Sequence, residues 1–181
     1  MRIAREAKRA PIQNLKHVIS VSPVLDPGKA TDRIENSYYI HRYFLNKWRR
    51  SLRKKQTLFP DLYDFSDILP LNSIRKITDA LIERYSNLKS TDDYFKGYTL
   101  VDGDLNQVAV PTTLVIAEDD PIIAIEEFNN LQLNSETTLL IQHYGGHNGF
   151  ITGFSLESWY EAWLLALFDD IVYGENDESK T

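Results

Sequence analysis

Residues 111–123, PTTLVIAEDDPII, decide the fold class of this chain. A proline is followed by a compact apolar run, TTLVIA, which is typical of a buried strand, and then by the acidic turn EDDP. A helical stretch at 125–131 and a second apolar run, TTLLIQ at 137–142, come next. Strand, helix and strand in this order predict a parallel pair. The β-branched run VISV at 18–21, which ends at Ser22-Pro23, predicts a third strand.

The segment between the first and second of these strands is predicted to be helix and loop. Residues 29–55 contain no proline or glycine, and their apolar residues recur every three or four positions, which predicts one long amphipathic helix. A loop at 57–70 separates it from two further helices, at 74–88 and 90–100. Helices are also predicted near both ends, at 2–10 and at 155–174, the latter with an apolar stripe around Trp159 and Trp163 that we expect to pack in the core.

This order of elements predicts an α/β fold, in which a mostly parallel sheet carries a helical insertion. Residues 1–28 and 101–181 would form the sheet domain, and residues 29–100 the insertion.

Composition narrows the classes of function. The 181 residues contain no cysteine, which excludes disulfides and a cysteine nucleophile and suits a reducing compartment, so we expect a soluble, cytoplasmic protein. No apolar run reaches the length of a signal peptide or a membrane span. The formal net charge of −6 gives no general reason to expect a nucleic-acid partner.

Side chains able to carry chemistry follow each predicted strand. Because the carboxyl ends of parallel strands meet at one sheet edge, we expect these side chains to converge there. They are Ser22 and Asp26 after the first strand, Glu118, Asp119 and Asp120 after the second, and His143 and His147 after the third. A carboxylate after one strand and a histidine after the next is the arrangement in which Asp orients an imidazole that acts as a general base.

The histidines lie in QHYGGHNGF, residues 142–150, whose glycines permit a sharp turn that points His147 over the sheet edge. A metal site built from His143 and His147 is the alternative, but Gly145 and Gly146 would disrupt the helix that such a pair needs, so we expect no metal. His143 is interpreted as a structural histidine at the strand end. His17 and His41 are interpreted as packed or partly exposed side chains.

These motifs resemble the last third of an α/β-hydrolase of the YheT-like branch. The specific elements are PTTLVIAEDDPII, HYGGHNGF and the tryptophan-rich terminal helix. Upstream, VSPVLDP resembles the strand and loop before this branch's helical lid, and DDYFKGYTL resembles the return from the lid to the sheet. The resemblance covers nearly the whole chain and implies a serine hydrolase of carboxylic esters, which needs no cofactor, with a lipophilic small-molecule substrate.

The resemblance also implies roles for single residues. Asp120 would be the acid of the catalytic triad and His147 its base. Asp120 is preferred to Asp119 because the family's acid lies three positions past the last small residue of its strand, here Ala117, and directly before the proline. From the residues alone, Asp119-Asp120-Pro121 could equally be an acidic turn that caps the next helix.

The family's nucleophile, a serine in a Gly-x-Ser-x-Gly elbow, has no counterpart in the sequence. Ser20 and Ser22 are the nearest hydroxyls, and we expect neither to lie on the strained strand-to-helix turn that activates such a serine. The sequence is therefore interpreted as a truncated hydrolase, the C-terminal portion that begins just after the nucleophile. We expect this portion to be inactive alone. A non-catalytic interaction module that retains the second half of the fold is the alternative.

A basic run in the predicted long helix is the one feature that could attract anionic lipid or nucleic acid. It comprises Lys47, Arg49, Arg50, Arg53, Lys54 and Lys55. From the sequence it is interpreted as a solvated helix end, so we expect no nucleic-acid partner and at most weak contact with a membrane surface.

Overall fold

The computed structural model of the protein describes residues 1–100, 103–154 and 156–173. The chain divides into two compact units. One, the sheet unit, comprises Met1–Pro23 and Leu100–Thr181, and the other, the helical unit, comprises Val24–Thr99. Residues 101, 102, 155 and 174–181 of the predicted sheet domain lie outside the described residues.

The sheet unit is built on three parallel strands in the order β1-β2-β3. They are β1 (Val18–Val21), β2 (Thr112–Ala117) and β3 (Thr137–Gln142), which confirms all three predicted strands. Every residue of the central strand β2 is buried, as expected for a short apolar run covered on both faces. The register places Val21 beside Val115 and Ala117 beside Gln142, so the carboxyl ends of β2 and β3 are level.

The described part of the sheet unit contains further elements besides these three strands. They are helix α1 (Arg2–Ala7), a 3-10 turn (Leu105–Gln107), helix α6 (Glu126–Asn129), an antiparallel pair β4 (Ile151–Thr152) and β5 (Glu157–Ser158), and helix α7 (Trp159–Tyr173). The prediction of a helix over 125–131 was too long, and the predicted terminal helix begins only at Trp159 because β5 occupies the residues before it. Both ends of that prediction, Ser155 and Gly174, lie outside the described residues.

Helix α7 packs one side against the sheet. Trp159, Tyr160 and Trp163 contact a buried cluster formed by Val115, Ala117 and Phe150, in agreement with the predicted packing of the tryptophans. The two indole rings stack with centroids 6.1 Å apart. This packing fixes Phe150, and with it the turn that precedes β4.

The helical unit contains four helices in place of the three predicted. They are α2 (Pro27–Asn36), α3 (Tyr38–Leu58), α4 (Ile74–Tyr85) and α5 (Thr91–Tyr98). The prediction of one helix over 29–55 was wrong, because the backbone is extended at Ser37, with φ −102° and ψ 109°. Asn36 and Ser37 favour helix ends, since their side chains compete for backbone hydrogen bonds.

The core of the helical unit lies between α3, α4 and the loop that joins them. Leu45 and Leu52 of α3 pack with Phe65 and Ile68 of the loop and Ile77 of α4. Arg49 strengthens this contact by donating hydrogen bonds to the carbonyls of the loop segment, at 2.9 Å to Leu69 and 3.0 Å to Leu71. That this unit acts as a lid stays a prediction. Among the described residues, no helix combines the length and apolarity needed to cross a bilayer.

Candidate active site

Asp120 lies in the turn that follows the central strand, and its carboxylate is fixed by the backbone. Oδ1 accepts hydrogen bonds from the N–H groups of Ile122 and Ile123, at 2.8 and 2.9 Å. These contacts close the turn after the strand. They do not cap the next helix, α6, which begins at Glu126 without a hydrogen bond from a capping side chain. The side chain is only 2% exposed, so the carboxylate has almost no access to solvent.

The second carboxylate oxygen of Asp120 faces His147. Oδ2 lies 3.0 Å from Nδ1 of His147, although the two residues are 27 positions apart in the chain. A carboxylate only accepts hydrogen bonds, so this contact assigns the imidazole proton to Nδ1 and leaves Nε2 as an acceptor. The His147 side chain is 27% exposed, so its ring joins a buried carboxylate to a surface that substrate can reach.

Asp119, the less favoured candidate for the acid, holds the histidine turn. Its Oδ1 accepts hydrogen bonds from the N–H groups of Gly145 and Gly146, each at 2.8 Å. Gly146 has φ +54°, where glycine is favoured, and a Cβ on Gly145 would lie 2.5 Å from the Phe150 ring. This role of Asp119 was not predicted from the sequence. The signal for it was the second aspartate beside the first, because a short acidic side chain in a turn often accepts hydrogen bonds from backbone N–H groups.

The turn is anchored further along the chain by residues with left-handed backbone. Asn148 and Phe150 have φ +68° and +48°, a conformation that costs side-chain-bearing residues energy and is kept only where surrounding contacts impose it. Phe150 is 2% exposed, and its N–H donates to the carbonyl of Gly145 at 2.8 Å. The position of His147 is therefore set by contacts on both sides of it.

Ser22 directly follows strand β1 and contacts the histidine turn. Its Oγ accepts a hydrogen bond from the N–H of Asn148 at 3.3 Å, and the side chain is buried. Ser22 has left-handed backbone, with φ +44°, but helix α2 begins only at Pro27, so the strand does not pass directly into a helix at this serine. Two β-branched residues and a proline surround it, and such neighbours gave no sign of a left-handed position.

The other predicted side chains have contacts of their own. Asp26 caps helix α2 by accepting from the N–H groups of Gly28 and Lys29. His143 is 81% exposed and pairs with Glu118 at 2.6 Å, a surface contact that contributes little to stability. In the described ranges no three His, Asp or Glu side chains group as metal ligands, which leaves no candidate metal site there.

The two remaining histidines are His17 and His41. His17 Nε2 lies 3.0 Å from the hydroxyl of Thr113, and burial lowers the pKa of His17. His41 of α3 has a buried Nε2 without a hydrogen-bond partner in the part of the chain that the structure describes. Neither is brought to the Asp120–His147 pair by a hydrogen bond among the described residues.

Two curated proteins are similar to this chain. "Protein abhd-3.2" of Caenorhabditis elegans is 25% identical over 138 residues, which covers 72% of this chain and 36% of that protein. "Putative esterase YheT" of Escherichia coli K12 is 25% identical over 132 residues, which covers 71% of this chain and 38% of that protein. The matched region thus spans less than two fifths of either relative.

No family model matches the chain, and no solved structure matches it. The second of these relatives is named as a putative esterase. With the parallel three-stranded sheet and its helices, these similarities indicate a distant relationship of the chain to α/β-hydrolases.

Proposed function

We propose that the chain contributes the acid and the base of a serine hydrolase that cleaves carboxylic esters, with Asp120 as the acid and His147 as the base. One observation carries the proposal: Asp120 is 2% exposed, held by two backbone N–H groups, and its second oxygen lies 3.0 Å from His147 Nδ1. A carboxylate fixed in this way holds an imidazole in one tautomer and stabilises its protonated form.

The proposed chemistry uses Nε2 of His147 as the site of proton transfer. His147 takes the proton of a serine hydroxyl while the serine Oγ attacks the ester carbonyl, and it then gives that proton to the departing alcohol. In the second half, His147 takes a proton from water while the water oxygen attacks the acyl-serine carbonyl, and it then gives that proton to the serine Oγ as the carboxylic acid is released. Asp120 stays ionised throughout and acts only through His147.

The nucleophilic serine is proposed to come from polypeptide outside these 181 residues. The sequence contains no Gly-x-Ser-x-Gly elbow. Within the described residues, strand β1 pairs only with β2, so the backbone N–H and carbonyl groups on its outer side are open to another strand. A serine-bearing strand that paired with the outer side of β1 would extend the sheet next to Ser22, whose Oγ contacts the histidine turn.

We further propose that the chain corresponds to the C-terminal portion of the YheT-like branch, with residues 29–100 as the lid and a lipophilic ester as substrate. The support is the 25% identity to the Escherichia coli esterase and the order of the motifs along the chain. The four helices that the helical unit inserts between β1 and β2 agree with this arrangement.

The test combines the purified chain with a polypeptide that carries the Gly-x-Ser-x-Gly elbow. The first choice is the portion of the Escherichia coli esterase outside the matched 132 residues. Neither piece alone should hydrolyse p-nitrophenyl butyrate above background, whereas co-expressed pieces should, and His147→Ala should abolish that gain. Hydrolysis by the chain alone that vanished in both His147→Ala and Ser22→Ala would place the nucleophile in this chain and contradict the proposal.

A non-catalytic interaction module is the second candidate, and the absence of the serine elbow together with the open edge of β1 favours it. The two candidates differ in their need for the acid. A partner captured equally well by wild type and by Asp120→Asn, with no hydrolysis from any combination of pieces, would favour the interaction module.

A further inference from the structure

Helix α3 carries a concentration of positive charge that the proposed reaction does not use. Its 21 residues include seven arginines and lysines and no aspartate or glutamate, in a chain whose formal net charge is −6. Across the helical unit there are fourteen lysines and arginines against ten acidic residues. The two units therefore carry opposite net charge, and the excess of positive charge is concentrated on α3.

Two of the seven cations contact described residues outside α3, and a third, Lys47, has its Nζ 5.3 Å from the centroid of the Tyr43 ring within the helix. Arg49 donates to loop carbonyls, and Lys55 Nζ lies 4.1 Å from the centroid of the Tyr63 ring. The five cations other than Arg49 and Lys55 are exposed, and among the described residues none of them forms an ion pair with an acidic side chain. We call this group the cationic face of α3, and it consists of Arg42, Lys47, Arg50, Arg53 and Lys54.

The cationic face is unfavourable for the isolated helix. Arg50 and Lys54 are four positions apart, as are Arg49 and Arg53, and like charges at this spacing repel each other. The apolar residues that hold α3 in place, Leu45 and Leu52, point into the core of the helical unit. The opposite side is thus free for an anionic partner, which would relieve the repulsion.

Apolar and aromatic side chains flank the cations at both ends of α3. Tyr39 and Tyr43 are 83% and 58% exposed, and the helical period puts them on the same side as Arg50 and Lys54. After the other end, Leu58 and Phe59 are 59% and 51% exposed. Exposed tyrosines beside cations can also stack on the bases of a single-stranded nucleic acid. The boundary between lipid headgroups and acyl chains accommodates both the tyrosines and the apolar pair Leu58 and Phe59, so it matches this set of side chains better.

We propose that the cationic face of α3 binds the surface of a bilayer that contains anionic lipid, with Tyr39 and Tyr43 at the headgroup level. The helix lies on the membrane and does not insert across it, because its apolar side is already buried within the helical unit. This inference does not depend on the proposed hydrolase activity. If both hold, the chain would be held at the surface where lipophilic esters are most concentrated.

The test is sedimentation of the purified chain with sucrose-loaded vesicles. We expect binding to phosphatidylcholine vesicles that contain about 30% phosphatidylglycerol, weak binding to phosphatidylcholine alone, and loss of binding as salt rises to about 500 mM. Each cation near an anionic surface strengthens binding roughly fivefold, so Arg50→Glu/Arg53→Glu/Lys54→Glu should weaken it by more than about a hundredfold. Tyr39→Ser/Tyr43→Ser should weaken it by a smaller factor.

A matched variant separates the cationic face from net charge. Lys76→Glu/Lys89→Glu/Lys96→Glu makes the same change of charge at three exposed positions of the helical unit outside α3, and it should alter binding by less than about threefold. Circular dichroism would verify that both triple variants keep their helices. The proposal is overturned if the two triple variants lose binding equally, or if vesicles without anionic lipid bind as well. Tighter binding to a single-stranded oligonucleotide than to anionic vesicles would also overturn it, since nucleic acid would then be the partner.

Discussion

Replacement of Asp120 by alanine is expected to lower the free energy of unfolding by about 3 to 5 kcal/mol, because it leaves buried donors without acceptors. The donors are the N–H groups of Ile122 and Ile123 and the Nδ1–H of His147, all of which bond to this carboxylate. Ile122 and Ile123 are 6% and 4% exposed, so water cannot replace the lost partner. Urea unfolding monitored by tryptophan fluorescence measures the change.

Asp120→Asn is the informative comparison. The asparagine Oδ1 can still accept from the two backbone N–H groups, so we expect a loss of no more than about 1 kcal/mol, while the contact with His147 changes from acceptor to donor. Asp119→Ala is the control for a carboxylate in the same turn. Asp119 is exposed, so water can replace it and the loss should stay near 1 kcal/mol. Equal losses for Asp119→Ala and Asp120→Ala would contradict the buried network described here.

Replacement of Gly145 by alanine is expected to destabilise the protein by about 3 kcal/mol or more, because the added methyl group has no room. Its Cβ would lie 2.5 Å from one atom of the Phe150 ring and 2.9 Å from the Ala117 Cβ. Neither neighbour can move easily, since Phe150 is buried beneath Trp159 and Tyr160 and Ala117 ends the central strand. The histidine turn would have to shift, and the contact between His147 and Asp120 would be lost with it.

Gly97→Ala is the matched control for the loss of a glycine. Gly97 lies in helix α5, and a Cβ there would meet nothing within 4 Å. This variant should be neutral or gain up to about 1 kcal/mol, since alanine loses less backbone freedom in a helix than glycine does. Thermal unfolding of the two variants side by side provides the measurement. A Gly145→Ala protein as stable as Gly97→Ala would show that the turn is not packed as described.

The strands were predictable from the sequence because local and tertiary preferences agree in them. VISV, TTLVIA and TTLLIQ are short β-branched or apolar runs bounded by proline, serine or charged residues, and all three form strands at the predicted positions. Apolar periodicity also placed α4 and α5 correctly in outline. In these segments the pattern of apolar residues was compatible with only one type of secondary structure.

The elements that prediction missed depend on single residues or distant contacts. The apolar periodicity continues on both sides of Ser37, so it does not reveal the break between α2 and α3. That break depends on the local backbone preferences of Asn36 and Ser37. The pair β4–β5 is only two residues long in each strand and is held by contacts such as Ser158 Oγ donating to the Gly149 carbonyl at 2.6 Å. No period of two can be recognised in so short a segment.

The candidate site was predictable only in part. Strand order predicted that seven candidate side chains would follow strands that end at a common edge, and the resemblance to α/β-hydrolases then selected Asp120 and His147 among them. The contacts that hold the histidine turn could not be predicted, because they join residues far apart in the chain. The N–H of Gly145 donates to Asp119, and the N–H of Asn148 donates to Ser22. The catalytic roles of Asp120 and His147 stay predictions.

The tautomer of the His147 ring tests the central claim most directly, because the proposed base needs its proton on Nδ1 and its lone pair on Nε2. Long-range 1H–15N correlation spectra of the 181-residue chain, recorded in alkaline solution where imidazole is neutral, report which nitrogen carries the proton. The account predicts the Nδ1–H tautomer in the wild type and the Nε2–H tautomer in Asp120→Asn. A wild-type His147 that is mainly Nε2–H, with no change in Asp120→Asn, would contradict it.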